Sequence, residues 1–400
     1  MVGYSIAILI PVVILLATWV FFPHKVTWKE VVFPILACFA ITLISKGVIE
    51  KQLTKDVEYW GSWITKIEYI EEWDEYIHKT CSETTTDSKG NTTTRTYDCS
   101  YVDNHPPVWL MRDSLGEVFK ITPDHYAMLK LRWGNENFVE MNRDFHRIDG
   151  DAYEVSWNGV EEHIEPITTE HTWENRVQAS SSVFKAKPYT QRELKGFGVH
   201  DYPEPDEFNR APSVLGPGFN VHLASRYLAI QNAKIGAFKK VRMWVLTFKN
   251  QPLEAAMAQE AYWLGGNKND IVLCLGTTDN ENSPFAWAYV ISWTPNETTK
   301  VNLRNAVTQQ KNQSIYTASQ LLVNEVNKSW VKKDFKEFNY LTVSPPLKVM
   351  IWFYIAMVVI SVGTSIWIVN NEFTDKAVGN SNNNFRSGNS INNRFFNRRS

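Results

Sequence analysis

The chain has no excess of charge of either sign. Forty-one Lys and Arg stand against 43 Asp and Glu, a formal net charge of −2 over 400 residues. A nucleic-acid coat needs a basic face to neutralise phosphates, and this balance does not supply one. Catalytic signatures are missing too. No G-x-x-x-x-G-K-[ST] loop occurs to cradle phosphates, and no G-x-S-x-G, H-E-x-x-H or C-x-x-C is present. Enzyme function therefore has little support, and no cofactor is expected. Cysteine is scarce, with four residues.

Charge is absent altogether from three stretches. Residues 4–22 (YSIAILIPVVILLATWVFF) and 349–369 (VMIWFYIAMVVISVGTSIWIV) are uncharged, and 31–45 (VVFPILACFAITLIS) is apolar between Glu30 and Lys46. A helix rises 1.5 Å per residue, so about 30 Å of hydrocarbon takes roughly 20 residues. The first and last meet that length. The middle one spans only if Lys46 snorkels and Val48 and Ile49 count; otherwise it is an interfacial helix. The start, Met-Val-Gly-Tyr-Ser, carries no positive charge and no small-x-small site follows, which favours a retained anchor over a cleaved signal.

What is abundant is aromatic: sixteen Trp, sixteen Tyr and 21 Phe. Trp and Tyr bury large areas while keeping one polar atom, so they collect in β cores, at interfaces and at membrane surfaces. The expected fold is a membrane-anchored α+β chain. It comprises a transmembrane hairpin (1–49), a β-rich domain (50–200), a Pro/Gly linker or loop (201–218), a small α/β domain (219–345), a transmembrane helix (346–369) and a disordered tail (370–400). The tail has ten Asn in 31 residues and few aliphatics, so it cannot bury a core.

In the β-rich part, "WITKIEYIEEW" alternates, placing Trp63, Thr65, Ile67, Tyr69 and Trp73 on one parity. "AYEVSWNGVEEHIEP" reads as a hairpin turning at Asn158-Gly159. "CSETTTDSKGNTTTRTYDC" reads as a second hairpin folding about Gly90. That register sets Cys81 opposite Cys99, Thr84 opposite Thr96 and Thr86 opposite Thr94. Cross-strand Cβ atoms lie about 4.5–5.5 Å apart, close to what a disulfide requires. A zinc site of His78, Cys81, Cys99 and His105 is the rival, and two free thiols a third option.

In the α/β part, 241–248 (VRMWVLTF) is a strand and Asn250 with Pro252 opens a helix carrying Leu253, Met257, Ala261 and Leu264. Gly265-Gly266 ends it. Strands at 271–275 and 285–293 follow, giving β-α-β-β with the first two strands parallel. Helices are expected near 299–312 and 316–336. Within this part, "NKND" at 267–270 matches the N-K-x-D guanine box. Here it follows a helix and precedes a strand, with no phosphate loop anywhere, so it is read as a helix cap and connecting loop, and no nucleotide is expected.

Sidedness rests on the cysteines. Three spans put the 23–30 loop and the tail on one side and the body on the other. Lys25, Lys29, Lys376, Arg386, Arg394, Arg398 and Arg399 face eight lysines flanking the helices on the body side, so the positive-inside rule does not decide. A Cys81–Cys99 disulfide would favour an oxidising compartment, hence an extracytoplasmic body and a cytoplasmic basic tail. Four N-x-[ST] sequons, at Asn91, Asn296, Asn312 and Asn327, fall in the body.

Candidate chemistry is thin. His163 and Glu165, sharing a face if the segment is a strand, form a possible metal or acid–base pair, with Glu170-His171 nearby. Glu71, Glu72, Asp74 and Glu75 near Trp73 form a carboxylate cluster. Leu322, Val326 and Trp330 fall four apart with Lys328, Lys332, Lys333 and Lys336 around them. That helix either lies on the lipid surface through Trp330, Lys332, Lys333 and Lys336 or packs on the body. The expected function is an integral membrane structural or interaction protein presenting a binding or scaffold domain in an envelope or virion membrane complex. The alternative is a membrane-bound hydrolase with its site near 161–171. Expected partners are the bilayer and other envelope proteins or further copies of the chain, with nucleic acid conceivable only through the basic tail.

Overall fold

The computed structural model describes residues 2–141, 150–180, 189–206, 208–343 and 345–371. Apart from its first two residues, the tail read at 370–400 lies outside the described residues. Among those described, the fold is mixed α+β, with ten α-helices and several antiparallel sheets. Contacts divide the chain into two compact units, one of 1–56, 173–185 and 336–400, the other of 57–172 and 186–335.

The first unit holds α1 (Val2–Phe21), α2 (Trp28–Leu53) and α10 (Leu347–Asn371), each long and apolar enough to cross a membrane. At 26 residues, α2 is about 39 Å long and far exceeds its apolar run. It starts early because Thr27 and Glu30 form a capping box, two orphan donors satisfied reciprocally. It continues past Lys46 because Lys46 pairs with Glu50 one turn on, 3.8 Å away. Between α1 and α10, Thr18 Oγ1 donates to Ser365 Oγ (2.9 Å), and the Tyr354 hydroxyl donates to the carbonyl of Gly3 (3.0 Å).

All but the first two residues of β1 (Lys55–Ile70) belong to the second unit, where this long strand is the centre of the first sheet. β2 (Trp73–Ile77) and β3 (Thr80–Thr86) lead to a tip at 87–91, and β4 (Thr92–Asp98) and β5 (Tyr101–His105) return. β6 (Val108–Asp113), β7 (Val118–Lys120), β8 (Asn137–Val139) and β9 (Ala152–Ser156) join β1 in one sheet of order β7-β6-β1-β9-β8, and β10 (Pro166–Glu174) also pairs with β1. α3 (Pro123–Trp133) packs Tyr126, Leu129 and Trp133 onto Ile64, Ile67, Met111, Val155 and Ile167.

Two expectations fail here, each for a local reason. Strict alternation in β1 is broken by a register shift between Ile64 and Lys66, so Ile64 and Ile67 are both buried while Trp63 and Thr65 are not. A bulge adds one residue and resets the parity. Residues 152–165 form no hairpin about Asn158-Gly159. β9 and β10 each pair with β1, and a 3-10 turn at Glu161–His163 lies between them.

α4 (Arg176–Ala179) belongs to the first unit, where Asn175 Nδ2 donates to Asp56. The rest of the second unit is a three-layer arrangement. α5 (Gln191–Phe197) precedes β11 (Val214–Leu215), α6 (Val221–Lys239), β12 (Arg242–Lys249), α7 (Glu254–Tyr262), β13 (Asp270–Thr277) and β14 (Trp287–Ser292). The sheet order is β11-β12-β13-β14, parallel except for β14. α8 (Glu297–Thr308) and α9 (Ile315–Ser329) complete it. Alternate residues of β12 and β13 face opposite layers. Met243, Val245, Ile271 and Leu273 meet α6, α8 and α9; Trp244, Leu246, Val272 and Cys274 meet α7 and Phe197. Burial on both faces is why these strands read as unbroken apolar runs. Burial also pushes the Cys274 thiol up, so it stays protonated.

β11 was not foreseen, because two residues in a Pro/Gly-rich stretch carry no periodicity. α9 ends at Ser329 instead of 336, and Trp330 is buried with Leu322 and Val326 in the core. The segment therefore packs on the body at this point, and Trp330 is no membrane-surface residue. Lys332 is likewise engaged, both Nζ–carboxylate contacts with Glu58 lying within 3.0 Å. Where β1 crosses α6, Gly61 and Gly236 meet backbone to backbone. A Cβ on Gly61 would sit 2.1 Å from the carbonyl oxygen of Asn232.

Candidate functional site

The sequence candidates separate in space. Cys81 and Cys99 form a disulfide with Cα atoms 5.8 Å apart, so neither is a metal ligand and the His78/Cys81/Cys99/His105 zinc set does not exist. The hairpin register differs from the expected one by two residues: Cys81 faces Tyr97, Thr84 faces Thr94 and Thr86 faces Thr92. Asp87 closes a longer tip by accepting from the amides of Lys89 and Asn91 (2.9 Å each), which moves the turn. The cysteines bond diagonally, since the amide of Cys99 donates to Lys79. β2–β5 continues the same register, with Trp73 facing His105. His105 stacks on Trp73 (4.1 Å between centroids) and contacts Glu75 (2.9 Å), while Asn104 donates to Asp74. Asp74 and Glu75 thus take part in a ribbon, whereas Glu71 and Glu72 precede it, the amide of Glu71 donating to the carbonyl of Asp151 (2.9 Å). Among the described residues no three His, Cys, Asp or Glu are grouped to hold a metal ion.

The N-K-x-D stretch is a structural knot. Gly265 and Gly266 take positive φ (84° and 75°) to end α7. Asp270, fully buried, accepts from the amide of Asn267 (2.8 Å), from Trp244 Nε1 (3.0 Å) and from the Tyr202 hydroxyl (3.1 Å). Burial pushes its carboxyl up to about 6, against the pull of those donors. Asn269 Nδ2 donates to the carbonyl of Tyr59 (2.7 Å), and Lys268 lies 3.4 Å from Glu58. Each side chain that would grip a base is turned to the protein.

His163 and Glu165 do not share a strand face. His163 sits in the 3-10 turn with Nδ1 3.0 Å from Asn158, whereas Glu165 is buried between two guanidiniums, Arg132 at 2.6 Å and Arg210 at 3.4 Å. Glu170 lies apart; His171 stacks on Trp60 at 3.7 Å. What gathers around Glu165 is arginine, a signal that no spacing reveals because the four come from four elements. α3 brings Arg132: Thr122 caps it by accepting from His125, and Pro123 starts it. A turn held by Asp206, which accepts from the amides of Phe208 and Arg210 (2.9 Å each), brings Arg210. Burial opposes the Asp206 charge, but bonds from Arg210 outweigh it and hold the carboxyl below its ordinary range. α6 brings Arg226, whose Nη2 donates to the carbonyls of Glu162 (2.6 Å) and Ile164 (3.0 Å). The first residue of β12 is Arg242, only 3% exposed, with Nη1 donating to Thr168 (3.3 Å) and Nη2 to the carbonyl of Ala211 (2.9 Å).

These groups line a cavity of about 190 Å³. Its ionisable lining is four Arg and one Glu, a formal +4 − 1 = +3. On α3 with Arg132, His125 is buried with neither ring nitrogen bonded among the described residues, and burial holds its pKa below the ordinary value, so it adds no positive charge at neutral pH. Compared with protein-family models, with curated proteins and with solved structures, the chain gives no match in any of the three.

Proposed function

We propose that this chain is an integral membrane interaction protein. Its apolar helices would anchor a large body that serves as a binding or scaffold component of an envelope or virion membrane complex, in company with other membrane proteins or further copies of itself. The observation that carries the reading is the ribbon of β2–β5. Its strands share one register from Trp73–His105 to Thr86–Thr92, fourteen residues a side, or roughly 45 Å at about 3.3 Å per residue. Every residue of β4 and nearly every residue of β3 is exposed. A two-stranded ribbon is marginal in water by itself, and this one is closed by a disulfide. The outer half of the ribbon, β3–β4, buries almost nothing and so adds no core; its use is as a surface. The disulfide also supports an extracytoplasmic body, with the tail on the cytoplasmic side.

The test is extraction from its native membrane in mild detergent, with and without residues 82–98. The full chain is expected to migrate as an assembly and the deletion to lose partners while keeping its fold. A solitary monomer in both cases would sink the reading. Sidedness is read separately, with a membrane-impermeant maleimide on intact cells. Labelling at Cys81 and Cys99 only after reduction supports the outside body; labelling only after lysis, without reductant, reverses it.

A further inference from the structure

We infer that the arginine-lined cavity beside Glu165 is a binding site for a small oxyanion, a phosphate or phosphate monoester. The inference is independent of the interaction reading and stands on three observations.

The first is cationic charge without a direct ion pair, Asp270 acting on Arg242 only at a distance. Arg132 and Arg210 share Glu165, and Arg210 has Asp206 as well (2.9 Å). Arg226 and Arg242 have no carboxylate within 4 Å among the described residues. Arg226 bonds only carbonyls, and Arg242 bonds a hydroxyl and a carbonyl. The nearest acid to Arg242 along the sheet is Asp270, its register partner on β13. That carboxylate directs its oxygens at Trp244, Tyr202 and the amide of Asn267, none of them at the guanidinium. Arg226 is exposed and keeps water as a partner, whereas Arg242 is a buried cation with no direct ion pair, a costly state that an arriving anion relieves.

The second is an unused donor. Arg242 Nε is buried and has no hydrogen-bond partner among the described residues, on a side chain that lines the cavity and is more than nine-tenths buried. Buried donors are almost always bonded, so an orphan at a cavity wall points to something that arrives. Arginine's planar fork matches the oxygens of a phosphate, two bonds in parallel, and it is held in place here by Thr168, the carbonyl of Ala211 and the ring of Trp244 (4.8 Å).

The third is size. A cavity of about 190 Å³ is many times the space that one water needs. That admits a phosphate or the phosphate group of a small monoester. Glu165 sets the selectivity. As an internal anion it already occupies two of the four guanidiniums, so it competes with the ligand electrostatically and leaves Arg226 and Arg242 as the open pair.

The experiment is thermal unfolding of the full chain in detergent, titrated with sodium phosphate at constant ionic strength against sodium chloride. A saturable rise in unfolding temperature is expected. Arg226→Gln should weaken apparent affinity at least tenfold, since the change removes one of the two open forks on an exposed residue. Should that variant fail to fold, Arg226→Lys keeps the charge, loses the fork and should still weaken binding several-fold. Glu165→Gln should strengthen it. No rise in the wild type overturns the proposal. So does a rise shared equally by the Arg226 variants, which is a general salting effect or an adventitious ion only. Dihexanoyl phosphatidic acid run in parallel distinguishes the source. Tighter binding than inorganic phosphate, still dependent on Arg226, supports a lipid headgroup as the phosphate monoester; weaker binding supports a free one.

Discussion

The β3–β4 ribbon and the β12–β13 pair are both two neighbouring strands of seven or eight residues, and they are held together by opposite means. β13 has no exposed residue, and β12 has only Lys249 outside the core. Its strands are parallel, the slightly weaker pairing, and rely on helices covering both faces. The ribbon has no core. Its strands are antiparallel, rich in Thr, and closed by one covalent bond. Stability in the first case is packing; in the second it is restriction of the unfolded chain.

That contrast is breakable. The largest effect is expected at Trp244, fully buried between layers. Trp244→Ala should cost about 3–5 kcal/mol, from lost burial, the cavity left behind and a lost donor to Asp270, read as a fall in denaturant midpoint. A cost below about 1 kcal/mol would mean that the sheet is not a packed core. Gly61→Ala should come close behind, roughly 1–3 kcal/mol or more. Its Cβ meets a backbone oxygen, which cannot swing aside as a side chain can. The contrasting position is Gly276, where an added Cβ meets the Trp287 ring at 2.4 Å; Gly276→Ala should cost less, because a ring can tilt.

Asp270 adds a pH signature confined to the buried pair. Its carboxyl is pushed up to about 6, from about 4 in an unfolded chain. Between those values the folded chain binds the extra proton, so this contribution to stability falls as pH rises through that window. At ~1.4 kcal/mol per pH unit the total is about 3 kcal/mol. The unfolding free energy of the wild type minus that of Asp270→Asn should therefore decline by about that amount from pH 4 to pH 6 and then level off. A difference that stays flat or climbs would contradict the burial argument. The smallest effect is expected from reducing Cys81–Cys99. The ribbon should become protease-sensitive between 82 and 98, while the unfolding free energy of the body changes by less than about 0.5 kcal/mol. A large shift would show the ribbon to be part of the core after all.

The same contrast explains what was legible in the sequence. β12, α7, β13 and β14 could be read because local pattern and tertiary burial agree there: apolar runs, a cap at Asn250 and Pro252, and a Gly-Gly stop. The pairing of Cys81 with Cys99 was legible from the Thr-rich flanks, though its register was not. Two residues of slip depend on how Asp87 folds the tip, a choice made by side-chain bonds. The bulge at Ile64/Lys66 and the two-residue β11 have no periodic trace at all. Neither has the arginine cluster. Arg132, Arg210, Arg226 and Arg242 are spread over more than a hundred residues, and only α3, the Asp206 turn, α6 and β12 bring them together. His163 and Glu165 were singled out for ligand type, and only Glu165 proved to be at that cavity, as its internal anion.

β1 follows α2 with a single residue between them, Thr54. Tension drawn along α2 enters the body lengthwise through this strand. Its ladder bonds to β6, β9 and β10 lie across that direction, so they are loaded together in shear and do not open one after another like a zip. At Gly61 the strand is also wedged against the backbone of α6, a contact with no side chain between to yield. A pull applied through α2 is therefore expected to meet many ladder bonds at once.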